Sequence, residues 1–432
     1  MRVLIGAYAC EPSQGSEPAV GWHWTHEALK AGHEVWVVTR RNNRAAIEAT
    51  LATAVGPGPH FHYLDLPRPF LWAKRKFGHL GLLAYYYLWQ VSLIVVARRL
   101  HRRIGFDIAH HVTFVNDTLP SGLCALPVPF IWGPVGGSTH RLPTGIDLDL
   151  PTYARRHERV RATLQFLLRH IDPFVALTRR RAALILVYTR EALEGLSRSE
   201  RRRARAIVHI GISEDEPPHR ASPPREAGHL RLRLLTGGRL VHWKGFDLLI
   251  EGFARFTRAA PQAEAVLTVT GSGRYQPVLE ALATREEVRD RVEFVGMLPS
   301  RDDVFALMEE CDLFALPTLR DGPPVALLEA MAYGLPVLCL DLGATAELVP
   351  DHAGIKISPD SRESIVAGIA EACAWVAEHP AEAGAMGHAA RSYALEHHHW
   401  RRMRDEIESA YAEVSAIAGG SGQGPRRWRV RR

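Results

Sequence analysis

The strongest constraint on the fold is a rhythm. Short apolar runs alternate with stretches of helical periodicity, and the pattern runs twice along the chain. In the first half Val3–Ala7, Val35–Thr39, Ile108–Val112, Phe130–Trp132, Leu184–Tyr188 and Ala206–Ile210 read as strands. Ala19–Ala31, Leu82–Arg103 and Arg155–His170 read as helices between them. Strands that are apolar on both faces must be covered on both faces, and helical crossovers make them parallel. Residues 214–228, EDEPPHRASPPREAG, interrupt the rhythm with four prolines and no apolar run. It then restarts with Leu232–Gly237, Val266–Thr270, Val292–Val295, Leu313–Leu316 and Val337–Leu340.

This pattern predicts an α/β chain of two Rossmann-like domains, 1–213 and 229–395, joined by the 214–228 linker. A closing helix over 396–418, centred on Trp400–Ala416, and a flexible basic tail, 419–432, follow. The length of 432 residues agrees, since a domain averages roughly 150 residues. A 47% apolar and 23% charged composition argues against a disordered chain. Mean hydropathy of −0.10 argues against a multi-span membrane protein. The net charge of +6 invites anionic partners, but no nucleic-acid-binding module is recognisable. The five cysteines are scattered, with no CxxC pair. They predict neither a disulfide framework nor a zinc site, and a reducing cytosol. MRVLIGAYAC enters a strand almost at once, so no signal peptide is expected.

Ligands in parallel sheets bind at the carboxyl ends of strands, and the second half carries its motifs there. In 234–247, LLTGGRLVHWKGFD, a strand runs into a Gly-Gly turn containing Gly238, followed by Arg239 and Lys244. Two cations at such a place suit a diphosphate. VTGSG (Val269–Gly273) and VEFVG (Val292–Gly296) are strands ending in glycine turns, at Gly271 and Gly296. In 315–349 a strand is followed by Asp321, Gly322, Pro323 and Pro324, then by a helix from Val325 carrying Glu329. The start of that helix offers free N–H groups to an anion. Taken singly, these are a plain turn, solvated cations and surface acids; the ordered set points to a nucleotide-sugar site.

That set, GGRL…KG, VTGSG, VEFVG and DGPPVALLEAMAYGLPV, resembles the retaining glycosyltransferases of family 4. Nearly all of 1–416 shares the likeness. The resemblance implies the GT-B fold: two Rossmann-like domains facing a cleft, with a C-terminal helix returning to the first. It implies that Arg239 and Lys244 contact the donor pyrophosphate, that Glu329 contacts the ribose, and that Asp321 faces the transferred sugar. Asp321 departs from the family, which usually has Glu there. The acid is one methylene shorter, which bears on donor preference.

The first half adds the facing side. CEPSQGSEPAVGWHW, with Gly15, Ser16 and Glu17, lacks GxGxxG and resembles the first glycine-rich loop of exopolysaccharide and colanic-acid-type transferases. FIWGPVGGS, with Gly136 and Gly137, matches the same subgroup. His110 and His111 end a strand, and a family histidine near this position meets the transferred sugar. Alternation along a strand sends the two to opposite faces. His111 is the favoured site residue, and a pair of structural histidines is the alternative.

The resemblance implies a retaining, metal-independent transfer through a front-side, oxocarbenium-like state, with no cofactor. The substrate would be a nucleoside-diphosphate sugar. The acceptor would be a saccharide or polyprenyl-linked saccharide in cell-surface polysaccharide biosynthesis. The rivals are a sugar-nucleotide epimerase, a phosphorylase, or a non-catalytic sugar-nucleotide-binding partner. The His397–His399 triple has no acid cluster beside it, so no metal is expected there. Phe77–Ala97 lacks Asp, Glu, Lys and Arg and has basic flanks. Three readings stand: a buried helix, an anionic-membrane docking surface, or a span. The expected location is cytoplasmic, with peripheral placement on the inner face of the membrane left open.

Overall fold

The computed structural model describes residues 1–12, 14–136, 142–143, 145–207, 209–212 and 230–420. The predicted linker 214–228, Gly137 and residues 421–432 lie outside the described residues. The strands of the first half are β1 (Arg2–Ala7), β2 (Glu34–Thr39), β3 (His60–Tyr63), β4 (Ile108–Thr113), β5 (Phe130–Val135), β6 (Ala182–Val187) and β7 (Ala204–Ala206). Those of the second half are β8 (Arg231–Gly237), β9 (Glu264–Thr270), β10 (Val292–Gly296), β11 (Leu313–Leu316), β12 (Val337–Leu340) and β13 (Ile355–Ile357).

Each half folds into one parallel sheet. The first has the order β3-β2-β1-β4-β5-β6-β7, the second β10-β9-β8-β11-β12-β13. In both, strand order reverses beside the first strand, between β1 and β4 and between β8 and β11. Crossovers diverge at such a switch point and leave a crevice at the carboxyl ends. The buried faces explain the apolar runs. Every residue of β4, β5, β11 and β12 is buried. The Phe246–Ala259 helix covers the second sheet with Leu249, Ile250, Phe253 and Phe256, an apolar stripe at helical spacing.

Three of the four sheet edges depart from the sequence reading. Strand β7 ends at Ala206, short of the expected Ala206–Ile210. Strands β3 and β13 were not expected. Both are edge strands. His60–Tyr63 alternates between exposed and half-buried residues and so leaves no apolar run.

The closing helix spans Trp400–Gly420, continuing into the stretch read as tail. It returns to the first half. Ile212 N–H donates to the His398 carbonyl at 2.7 Å, and Arg404 pairs with Glu27 at 2.8 Å.

The apolar helix runs from Gly78 to Ile104. Among the described residues one segment, Leu80–Ile104, is long and apolar enough to cross a membrane. Its inner face, Tyr85, Tyr86, Trp89 and Leu93, is buried in the first domain. Tyr85 donates its hydroxyl to Asp65 at 2.6 Å, and Trp89 Nε1–H donates to the Leu64 carbonyl at 2.8 Å. Its outer face exposes Leu88, Val91 and Val95.

Candidate active site

The second sheet builds its side of the crevice from turns that touch. Gly271 ends β9 at φ +102°, and a Cβ there would lie 2.0 Å from the Gly238 carbonyl oxygen. Only glycine lets the turns after β8 and β9 approach so closely. Gly245, at φ +70°, does the same against the Pro317 carbonyl, also at 2.0 Å. The Leu319 N–H donates to the Trp243 carbonyl at 2.9 Å. The turn carrying Lys244 is thereby laced to the strand exit carrying Asp321.

Lys244 Nζ pairs with the Asp321 carboxylate, both groups partly shielded from water. Arg239 is exposed, its guanidinium 5.7 Å from the Trp243 ring centre. Gly322, Pro323 and Pro324 lead into the Val325–Tyr333 helix, whose first turn has no side-chain cap. Its free N–H groups and dipole favour an anion. Glu329 lies one turn in and pairs with Arg301 at 2.8 Å. Burial pushes its pKa up, and Arg301 offsets part of that. Gly296 closes the group, its carbonyl accepting from Gly271 N–H at 2.7 Å.

The first sheet supplies the facing wall. Gly15 caps the Ser16–Lys30 helix and has open space where a Cβ would stand. Ser16 takes φ +57°, an unfavourable value for a residue with a side chain. Glu17 Oε1 accepts the Val115 N–H at 3.1 Å. Burial pushes this carboxyl up to about 7, against the pull of that hydrogen bond and of Arg239. Arg239, from the second domain, thus acts on an acid of the first.

The two histidines part company. His110 Nε2–H donates to the Gly133 carbonyl at 2.8 Å, and its Nδ1 lies 2.9 Å from the Tyr411 hydroxyl of the closing helix. Both nitrogens are used, and burial lowers its pKa to about 3. Its position is that of a structural histidine. His111 donates Nε2–H to the Phe114 carbonyl at 3.0 Å, while its buried Nδ1 has no partner. Burial lowers its pKa to about 4, so the ring is neutral and Nδ1 is an acceptor. It is only 1% exposed.

Several residues at the crevice escaped the sequence reading. The Tyr188 ring lies between the domains: a Cβ on Gly136 would come within 2.7 Å of it, and one on Gly322 within 3.3 Å. Glu158 belongs to the Thr152–His170 helix of the first half. It accepts from His242 at 2.9 Å and from both terminal nitrogens of Arg320, one at 3.0 Å. Burial raises its pKa, but the hydrogen bonds from His242 and Arg320 prevail and hold it well below the ordinary carboxylate range. The available signal was that Glu158 is the sole acid in a helix rich in arginine.

Among the described residues, His157, Glu158 and His242 bring three possible metal-ligand atoms within 4.8 Å of one another. The Arg320 fork already occupies both Glu158 oxygens.

Residues 228–385 match the glycosyl transferases group 1 family. The amylovoran biosynthesis glycosyltransferase AmsK of Erwinia amylovora is 30% identical over 169 residues, 38% of this chain and 40% of that protein. A putative colanic acid biosynthesis glycosyltransferase, WcaL of Salmonella typhimurium, is 27% identical over 176 residues, 38% of this chain and 41% of its own length. The chain therefore spans less than half the length of these curated relatives. Among solved structures, Anabaena HepE in complex with UDP superposes with a TM-score of 0.62 at 15% identity, covering 96% of this chain and all of that one. Sucrose-phosphate synthase from Thermosynechococcus elongatus gives 0.64 at 16% identity, again over 96% of this chain and 100% of its own. The second half of the chain thus carries a glycosyltransferase group 1 domain, within a two-domain GT-B fold.

Proposed function

We propose that the chain is a retaining, metal-independent glycosyltransferase of cell-surface polysaccharide biosynthesis. It moves a sugar from a nucleoside-diphosphate donor to a saccharide or lipid-linked saccharide. The observation that carries this reading is the convergence of Arg239, the Lys244–Asp321 pair, the Val325 helix start and Glu329 on one set of strand ends. Arg239, Lys244 and the helix start suit the diphosphate, Asp321 the sugar and Glu329 the ribose. HepE, a neighbour in fold, is a UDP complex, which makes UDP the first base to test.

In this reading the anomeric carbon–diphosphate bond breaks and the acceptor oxygen bonds on the same face. The acceptor proton passes to the departing diphosphate. Arg239 and Lys244 stabilise the charge growing on that leaving group, the duty a divalent cation performs elsewhere. Ser16, Glu17 and Gly136 line the acceptor side, Gly15 stands on the loop that approaches the donor phosphates, and His111, its Nδ1 buried, is the histidine assigned to the transferred sugar.

Membrane docking belongs to the same proposal. The Arg68–Lys76 helix exposes Phe70 and Trp72 beside Arg75 and Lys76, while Lys74 turns inward to the Tyr8 hydroxyl, and Phe77 and Leu80 continue the apolar patch. Aromatic groups flanked by cations suit an anionic leaflet on the cytoplasmic side, where a polyprenyl-linked acceptor resides.

The test is a thermal-shift panel of UDP, GDP, ADP and their sugars on wild type and Lys244→Ala. A ligand of the folded state raises the melting temperature. One nucleotide stabilising wild type and not the variant is the expected result. No shift with any of them rejects the donor site.

A further inference from the structure

We propose that Glu158 is a positioning residue, which reaches from the first domain across the crevice and holds the two segments that carry Lys244 and Asp321. The inference rests on the donor-site reading above. His242 stands two residues before Lys244, and Arg320 immediately before Asp321. Both are buried, and both bond the same carboxylate. Trp243, between His242 and Lys244, extends the joint. His157 of the same helix stacks on it at 6.0 Å and 12°, and the guanidinia of Arg320 and Arg239 lie 4.9 and 5.7 Å from its centre. One helix of the first domain thereby touches both of the segments that carry Lys244 and Asp321.

The chemistry favours a clasp over a metal centre. A carboxylate already accepting from an arginine fork and an imidazole has little capacity left for a cation. Arg161, 3.9 Å away, adds a further positive charge. Removing the Glu158 charge leaves Arg320 buried without its counter-ion, and the turn it anchors loosens. Donor-site order is thus coupled to the meeting of the two domains.

The test compares the full chain with Glu158→Gln and the milder Glu158→Asp. Hydrogen exchange is followed over 241–246 and 317–322, and UDP, GDP and ADP are titrated calorimetrically. The expected result for Glu158→Gln is exchange about tenfold faster in those two segments, with strands β8 and β11 unchanged. Affinity for the bound nucleotide falls about tenfold, and Glu158→Asp recovers part of both effects. Unchanged exchange in both segments overturns the proposal. Stoichiometric Zn2+ uptake that Glu158→Gln abolishes also overturns it. If wild type binds none of the three nucleotides, the donor-site reading fails, and the exchange data still decide the clasp. If Glu158→Gln does not fold, Glu158→Asp carries the exchange test.

Discussion

At the scale of residues, the site is a balance between cations that must stay available and acids that hold them. Lys244 rests on Asp321, a pair that a diphosphate would displace under the proposed function, whereas Arg320 is committed to Glu158. Arg239→Ala and Lys244→Ala should each lower turnover about 100- to 1,000-fold, with melting temperatures close to wild type. Steady-state kinetics beside thermal melts check this, and near-normal turnover in both would remove the diphosphate assignment. Glu17 gives a pH signature. Its carboxyl titrates at about 7 in the fold against an ordinary 4.5. The folded state thus favours the protonated form, a stabilisation fully present below 4.5 and lost as pH rises through 7. Glu17→Gln mimics the neutral acid, so it should gain ~3 kcal/mol on wild type between pH 4.5 and 8. Melts across that range read it; a constant gap would contradict the buried state of Glu17.

Among the elements, the closing helix carries the clearest consequence. His110 donates from Nε2 to a carbonyl, so its Nδ1 must accept, and the Tyr411 hydroxyl is the donor. Tyr411→Phe leaves that acceptor buried and unpaired. The expected cost is about 1–2 kcal/mol of stability, read by urea unfolding, with little change in nucleotide affinity. A larger loss of affinity than of stability would place His110 in the site. Legibility also varied by element. The central strands were readable because both faces are covered and most of their positions are apolar. Of the four edge strands, β10 still showed as Val292–Val295, whereas β3, β7 and β13 have only three or four residues each. Their residues alternate or turn polar, and an apolar run is no guide there.

For the whole molecule, the exposed aromatic and basic surface of the Arg68–Lys76 helix predicts behaviour no single domain core would show. The purified chain should sediment with anionic vesicles at low salt and be released as salt rises, because screening shortens the reach of surface charge. Trp72→Ala should weaken binding about tenfold, the worth of one large apolar side chain. Binding that ignores both salt and Trp72 would send the apolar outer face of the Gly78–Ile104 helix to another use. On its inner face Tyr85 and Trp89 donate to Asp65 and Leu64, and Gln90 Oε1 accepts the Gly122 N–H. They tie that face to the core and leave the outer stripe for any surface.

The two sheets, and the strand-end motifs assigned to the proposed donor site, were legible in the sequence itself. Burial on both faces writes a largely apolar run into most central strands. A strand end, its turn and the next helix start are neighbours along the chain, so Arg239, Lys244, Asp321 and Glu329 could be read together. What the tertiary structure alone decided was how distant segments meet. Alternation separates His110 from His111, but only the packed closing helix shows which one is spent on structure. Glu158 meets Arg320 across 162 positions of sequence. Pairing of charges over such a separation leaves no periodicity and no local spacing. It exists only once two domains have brought a lone acid and a buried cation to the same crevice.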